Sequence, residues 1–424
     1  MKQSIHKLPQ ELQNLIMTAH HVSVNKKIPA YLVGGFVRDM LLGVKNFDLD
    51  IVVEGNGIAF AEEFARKTSG GLTTHKRFGT ASVIVGHSFK VDIATAREES
   101  YPFPATLPVV TPSFLRYDLK RRDFTINAMA IDIGALHFGA CIDLYHGKED
   151  LAAQVIRILH DNSFIDDPTR MVRAIRFEQR FGFHIEPHTL RLLKKAARLR
   201  MLEKVQPQRT RDELIVILKE KNPMHQLQRL EQLVGVSFLI RGLRFTQKSR
   251  KLLAAVEKQM SWFASMHAHR RQIDQWLMRF MVLIDALDLK DTRRVLEKFA
   301  FHRGEDKRVL DSKKAAARYE KILTSSALSA SQVYSLLEPL SYEGILFIKA
   351  RSRHARVHAH IEEFLQRLNG MRTHISGNDL RLLGVEPGPL YQQVLKKVLA
   401  ARLDGFVVTR HEELELARKL IVRK

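Results

Sequence analysis

Over residues 1–150, short apolar runs alternate with amphipathic stretches, and their period predicts the elements. Tyr31 to Val33, Asp48 to Val53, Ala81 to Val85 and Lys90 to Ile93 read as β-strands. Between the second and third, Ile58 to Thr68 carries Ala61, Phe64 and Ala65 at helical spacing, with Gly70-Gly71 as its stop. A stretch punctuated by Pro102, Pro104, Pro108 and Pro112 follows. Proline breaks helices and cannot donate to a sheet interior, so this stretch predicts an exposed connector. From about Asp150 onward β-type runs almost vanish. Pro168–Phe181, Thr189–Leu202, Arg211–Glu220 and Met224–Leu233 have helical patterns, and more follow through Leu368 with no fixed-period repeat. The chain then restarts with a loop, Ile375 to Leu380, followed by Gly384, Pro387-Gly388-Pro389 and a last helical stretch. The expected class is α+β: a mixed α/β head (1–150), a helical neck (151–220), a helical body (221–373) and a helical tail (374–424).

Charge changes that picture most. The 424 residues hold 68 Lys+Arg against 46 Asp+Glu, a formal charge of +22, which points to a polyanionic partner, nucleic acid ahead of a membrane surface. Hydrophobic residues at 45% and charged residues at 27% exclude wholesale disorder. Cys141 is the only cysteine, so no intramolecular disulfide, disulfide-linked partner or Cys-based zinc knuckle is expected. No apolar run spans a bilayer and Met1 to Lys7 lacks a signal-type core, so a cytoplasmic location is expected.

Two features suggest chemistry. Gly34-Gly35 sits at a strand-to-helix turn, before Phe36 to Leu42 and a closing Gly43. Such a turn lets a ligand approach the backbone and offers helix N-terminal N–H groups to a phosphate, although tight turns use paired glycines for many reasons. Asp48 and Asp50 then lie two apart on a strand, so both carboxylates project from one face. Like charges side by side call for a cation, and Mg²⁺ accepts carboxylate oxygens while keeping positions for substrate phosphates. The alternative is an acidic solvent-facing edge. Asp92, on a strand expected nearby, is either a third metal carboxylate or a surface residue.

The run Leu32-Val33-Gly34-Gly35-Phe36-Val37-Arg38-Asp39 with Asp48-Leu49-Asp50 resembles the first motif of the class II tRNA nucleotidyltransferase and bacterial poly(A) polymerase family. That family belongs to the DNA polymerase β-like nucleotidyltransferases. Arg121 to Ala128 is similar to its second motif, Asp143 to Arg157 to its hinge motif, and Asp166-Asp167-Pro168-Thr169-Arg170 to its nucleobase-recognition motif. Ser376 to Leu380 adds a likeness in the tail. The resemblance implies template-independent transfer of nucleotides from CTP and ATP to a tRNA 3′ end. Asp48 and Asp50 would hold two Mg²⁺ ions, and Gly34, Gly35 and Arg38 would position the triphosphate.

Asp123 and Asn127 are four apart, which on a helix places them on one face beside Arg121 and Arg122. A capped, charged helix start gives the same pattern; the resemblance implies ribose discrimination. Asp167-Pro168 reads as a helix N-cap with proline in the first turn, and Arg170, Arg173 and Arg180 then share a face. The resemblance implies that Asp167 and Arg170 read the incoming base and that Asp166, standing where glutamate is usual, holds Arg170 in place. His160-Asp161 has no convincing set of further metal ligands, so a phosphohydrolase centre is rejected.

Between Arg191 and Lys219 stand nine Lys/Arg, opposed only by Glu203, Asp212 and Glu213. Counterion release from an RNA backbone rewards such a stretch, which makes Lys194, Lys195, Arg198, Arg209 and Arg211 candidate RNA contacts; a solvated helix face is the plainer reading. The expected product is the whole CCA end, CC, or the terminal A alone. Phe164 to Phe181 and Ala94 to Pro102 look most like the A-adding branch. A poly(A) polymerase and an inactive RNA-binding relative are the alternatives.

Overall fold

The computed structural model describes residues 5–44, 48–86, 89–266, 272–302 and 304–422. It divides into two compact units, Met1–Phe238 and Leu239–Lys424.

The first unit is built on a seven-stranded mixed sheet. Its strands are β1 (Ala30–Val33), β2 (Asp48–Val53), β3 (Gly71–His75), β4 (Thr80–Val85), β5 (Phe89–Thr95), β8 (Met129–Asp132) and β9 (Cys141–Asp143), in the order β3-β4-β5-β2-β1-β8-β9. Only β2 and β5 run parallel, and their register sets Asp50 directly beside Asp92 and Asp48 beside Lys90. Leu49, Ile51, Val91 and Ile93 alternate with these positions and are buried, so the pleat sends apolar residues inward and carboxylates to the opposite face. Helices α1 (Gln10–Lys26) and α3 (Gly57–Thr68) cover the apolar face, where Phe60 and Phe64 are fully buried. The Asn56 side chain caps α3 by accepting from the Ala59 N–H, and Ser69, one residue before the glycine pair, closes it in a left-handed conformation.

Between β1 and β2 runs α2 (Gly35–Leu42), entered through Gly34 at φ +70° and closed by Gly43. The proline-punctuated stretch is more ordered than a plain connector. Strands β6 (Arg97–Ser100) and β7 (Val109–Pro112) pair as a two-stranded antiparallel ribbon, with Pro112 opposite Arg97 at its end. A ribbon has only edges, so proline costs it little. After α4 (Leu115–Lys120) the second motif does not form the helix its spacing suggests: Thr125–Asn127 is a single tight turn.

Helix α5 (Gly147–Ala152) and a two-stranded parallel pair, β10 (Val155–Ile156) with β11 (His184–Ile185), lead into helices. These are α6 (Ser163–Asp166), α7 (Thr169–Phe181), α8 (Pro187–Arg198), α9 (Pro207–Lys219) and α10 (Pro223–Leu233). Three of the predicted helices start one to four residues earlier than their patterns suggest, each with proline in the first turn. Helix α7 packs against α9 and α10 and buries Met171, Val172, Ala174 and Ile175, while Gly182 ends it.

Among its described residues the second unit forms helices and no strand. Its helices are α11 (Gln247–Met266), α12 (Gln275–Leu283), α13 (Leu289–Lys298), α14 (Glu305–Leu323), α15 (Ala330–Leu337), α16 (Tyr342–Arg351), α17 (Ala355–Glu363), α18 (Gly377–Leu382), α19 (Pro389–Leu403) and α20 (Arg410–Val422). Ser376 and Asp379 form a capping box for α18, so the Ser376-Gly377 loop serves as a helix start. The fully buried Glu413 carboxylate accepts from the backbone N–H of His374 and Ile375 and from Arg402, pinning that loop to the last two helices.

Candidate active site

The α2 entry turn, Asp50 of β2, the β6–β7 ribbon, the second-motif turn and one face of α7 together surround a cavity of about 880 Å³. Among the described residues its lining includes ten arginines (Arg38, Arg77, Arg97, Arg121, Arg122, Arg170, Arg173, Arg176, Arg180 and Arg209) and no lysine, against four carboxylates (Asp50, Glu99, Asp123 and Asp167). Arginine gives a fixed charge and a planar fork suited to phosphate and base edges.

On β2, Asp48 is exposed and Asp50 is half-buried one pleat further on. Asp50 has its pKa pushed up to about 6, first by burial and then by the Asp92 and Asp48 carboxylates, with the Arg122 guanidinium opposing. Proton affinity of that size marks a place where a cation would be welcome, so the donor set fits a divalent metal. Asp92 stands beside Asp50 as its register requires, but its oxygens accept from Ser82 Oγ and from Lys90 Nζ at 2.6 Å. Among the described residues no three His, Cys, Asp or Glu side chains are gathered as a ready metal cage. Gly34 is required here: a Cβ on it would stand 2.7 Å from Arg122 Nη1 and 3.7 Å from Asp50 Oδ2, at a positive φ that other residues resist.

Arg38 is buried rather than open to the cavity's centre. It donates to Asp39 (2.8 Å) and to Asn127 Oδ1 (2.6 Å), and its guanidinium lies 5.2 and 4.8 Å from the ring centroids of Phe177 and Phe181. Arg38 therefore orients Asn127, whose Nδ2 donates to Asp123 Oδ1 at 2.9 Å. The two second-motif residues meet as their spacing suggests, but through a tight turn. Burial alone would raise the Asp123 pKa; Arg173, with bonds of 2.9 and 2.8 Å to Oδ2, and Asn127 override it and hold it near 2. Arg173 reaches on to Glu213 at 3.0 Å, tying α7 to α9.

In the nucleobase motif, Asp167 acts one residue earlier than the helix assignment. Its Oδ1 accepts from the Thr169 N–H (3.1 Å) and hydroxyl (2.6 Å), capping α7, while Oδ2 pairs with Arg209 at 2.8 Å. Arg209 therefore belongs to this cavity, not to the outer basic surface where its sequence neighbours suggest it. Arg170 donates to Ser163 Oγ and to the Arg121 carbonyl, both at 2.7 Å. Asp166 does not hold it by hydrogen bond: its carboxylate lies 3.8 Å from His160, and the shorter side chain acts on Arg170 only through charge. His160 sits 3.4 Å from Arg170, and burial together with that guanidinium depresses its pKa to about 4. Arg180 lines the cavity with Arg170 and Arg173, as their shared face predicts.

Sequence reasoning missed two carboxylates. Asp118 is fully buried and binds both Arg121 and Arg122. Glu99 accepts from Arg97, Arg121 and Tyr101 at 2.9–3.0 Å. The i+3 and i+4 spacing to two arginines was the available signal for Asp118; nothing local marks Glu99. Lys194, Lys195 and Arg198 are exposed along α8, away from the cavity lining, and Arg211 pairs with its neighbour Asp212.

An interior strand bearing two aspartates beside a glycine turn, one of them lining an arginine-rich cavity, defines a nucleotidyltransferase-type head. Residues 30–157 match the family described as the poly A polymerase head domain, and 182–240 match "Probable RNA and SrmB- binding site of polymerase A". An A-adding tRNA nucleotidyltransferase of Halalkalibacterium halodurans is 31% identical over 98% of this chain and 96% of its own length. One from Geobacter sulfurreducens is 36% identical over 97% of this chain, which spans only 47% of that longer relative. A CCA-adding enzyme structure superposes with a TM-score of 0.81 at 34% identity, covering 100% of this chain and 98% of that one. The Thermotoga maritima CCA-adding enzyme complexed with tRNA gives 0.74 at 33%, with 100% and 98% covered. The chain belongs to the class II tRNA nucleotidyltransferase family.

Proposed function

We propose that this chain transfers AMP from ATP to the 3′ end of a tRNA that already ends in CC, releasing pyrophosphate. One observation carries the reading: a nucleotide-sized cavity rich in guanidinium groups, lined by Asp50, with Asp48 on the same face of β2 one pleat before it. Asp48 and Asp50 would hold two Mg²⁺ ions, with Asp92 too engaged by Ser82 and Lys90 to be a first choice. When bound, such ions lower the pKa of an attacking hydroxyl and neutralise a leaving pyrophosphate.

The chain's own residues do the rest. Gly34 and Gly35 let the triphosphate approach the start of α2, and Arg122, against Gly34, supplies fixed positive charge. Asp123, braced by Asn127 and Arg173, offers a carboxylate to the ribose hydroxyls. Asp167 and Arg170 present an acceptor and donors preset by Arg209, Thr169, Ser163 and the Arg121 carbonyl, the pattern an adenine Watson–Crick edge needs. Lys194, Lys195 and Arg198 would meet the tRNA backbone by charge. The choice of the terminal A is supported by the naming of the Geobacter and Halalkalibacterium relatives. Complete CCA addition is the second reading, favoured by the full-length likeness to CCA-adding structures. No described helix is long and apolar enough to cross a membrane, which suits work on tRNA in the cytoplasm.

The test is a gel assay with Mg²⁺ on tRNA transcripts lacking CCA, ending in C and ending in CC, beside an unstructured RNA. Each receives CTP, ATP or both. One-nucleotide growth of the CC-ended transcript alone, with ATP, is the expected result. Growth of the first transcript by three nucleotides selects CCA addition, and a stop at CC selects CC addition. An open-ended ladder on unstructured RNA selects a poly(A) polymerase, and no product anywhere leaves an RNA-binding protein.

A further inference from the structure

We propose that Asp118 is a positioning residue for nucleotide transfer, one buried carboxylate that sets both second-motif arginines against the substrate. The proposal rests on the nucleotide-transfer reading above. Asp118 lies on α4 and its side chain is 0% exposed; it is absent from the cavity lining. Its Oδ1 accepts from Arg121 Nε (2.9 Å) and Nη2 (2.7 Å), and its Oδ2 accepts from Arg122 Nη2 (2.9 Å). Two adjacent guanidiniums repel unless an anion stands between them, and here one carboxylate serves both. Charge-assisted bonds from a fork of donors also fix direction as well as distance.

The far sides of the two guanidiniums touch the chemistry. Arg122 Nη1 lies against Gly34, where a Cβ would come within 2.7 Å, and the Asp50 carboxylate flanks the same point. Arg121 uses Nη1 on Glu99 at 3.0 Å, and its carbonyl accepts from the base-reading Arg170. Asp118 thus reaches the phosphate end through Arg122 and the base end through Arg121. Arg121 itself is too fully engaged to be a free phosphate ligand.

The test compares Asp118→Asn with wild type for ATP affinity by equilibrium dialysis, kcat, KM for ATP and KM for CC-ended tRNA. The same substitution is also made in an Arg121→Gln/Arg122→Gln background. The expected result is a loss of about 100-fold in kcat/KM for ATP, about tenfold of it read by dialysis as weaker ATP binding. KM for tRNA should stay within about twofold, and in the double-arginine background the further loss should be under about threefold. A loss that multiplies in full in that background, or that raises both KM values alike, overturns the proposal. Should the asparagine variant not fold, Asp118→Glu keeps the charge but displaces it by one methylene. It should bind ATP within about fivefold of wild type while kcat falls at least about tenfold, and an unchanged kcat overturns the proposal. Dialysis needs no turnover, so a wild type that extends no RNA defeats the transfer reading while the Asp118 effect on ATP affinity is still read.

Discussion

Two groups of aspartates share one unit of this protein and are held in opposite ways. On β2 and β5, Asp48, Asp50 and Asp92 crowd on one face, and Asp50 has its pKa raised to about 6 chiefly by burial, with Arg122 opposing and Asp92 and Asp48 adding. On the second-motif turn, Asp123 is more buried, yet Arg173 and Asn127 bring it down to about 2. Burial pushes both upward; at Asp50 it prevails over the Arg122 guanidinium, and at Asp123 the directly bonded Arg173 and Asn127 prevail over it. Asp50 has no guanidinium bonded to it as Asp123 has, and Asp123 is a brace held by Arg173.

The largest expected break of this contrast is loss of chemistry without loss of fold. Asp48→Ala or Asp50→Ala should lower transfer by about 10³-fold or more while tRNA binding stays within a few-fold, read by gel extension and filter binding. Wild-type turnover in either variant would overturn the metal assignment. Asp123→Ala should do the reverse to the scaffold, costing about 2 kcal/mol in urea unfolding because the partly buried Arg173 keeps only Glu213 and Asn127 loses its acceptor. Arg170→Ala should relax ATP-over-CTP choice by about tenfold or more while tRNA affinity holds, measured by competition between the two nucleotides. Unchanged discrimination there would remove base reading from this motif.

The smallest effects are in pH. In the metal-free protein, Asp50 binds its proton more tightly folded than unfolded, so its contribution to stability grows as pH falls through about 6. Asp123 has a depressed folded pKa, so its contribution is present above about 4 and is lost as pH falls through about 2. Thermal melts of Asp50→Asn and Asp123→Asn across pH 2–7 should remove these slopes one at a time. Adding Mg²⁺ should erase the Asp50 slope in wild type and leave the Asp123 slope intact.

Much of the site was legible because its pieces are local. The Gly34-Gly35 turn, the Asp48–Asp50 alternation and the α7 arginine face each follow from a period of two or of about 3.6 over a few residues. The sheet was half legible: β8 and β9 are short strands whose identity comes from pairing with β1 and with each other, and that pairing leaves no periodic trace. The β6–β7 ribbon was hidden by the prolines that a two-stranded edge tolerates. Arg209 looked like one more charge in a basic run, since its bond to Asp167 spans 42 residues of chain. Helical spacing brought Asp123 and Asn127 together for the wrong reason; a tight turn and the distant Arg38 do it instead.

The absence of lysine from the described cavity lining has a consequence outside catalysis. Guanidinium groups keep their charge far into alkali and offer no primary amine for acylation. Lysine-acetylating chemistry, which can silence many phosphate-binding sites, therefore finds no target among these groups. Rather than by lysine modification, the charge of this cavity is modulated by ionic strength, a quantity that varies with the state of the cell as a whole.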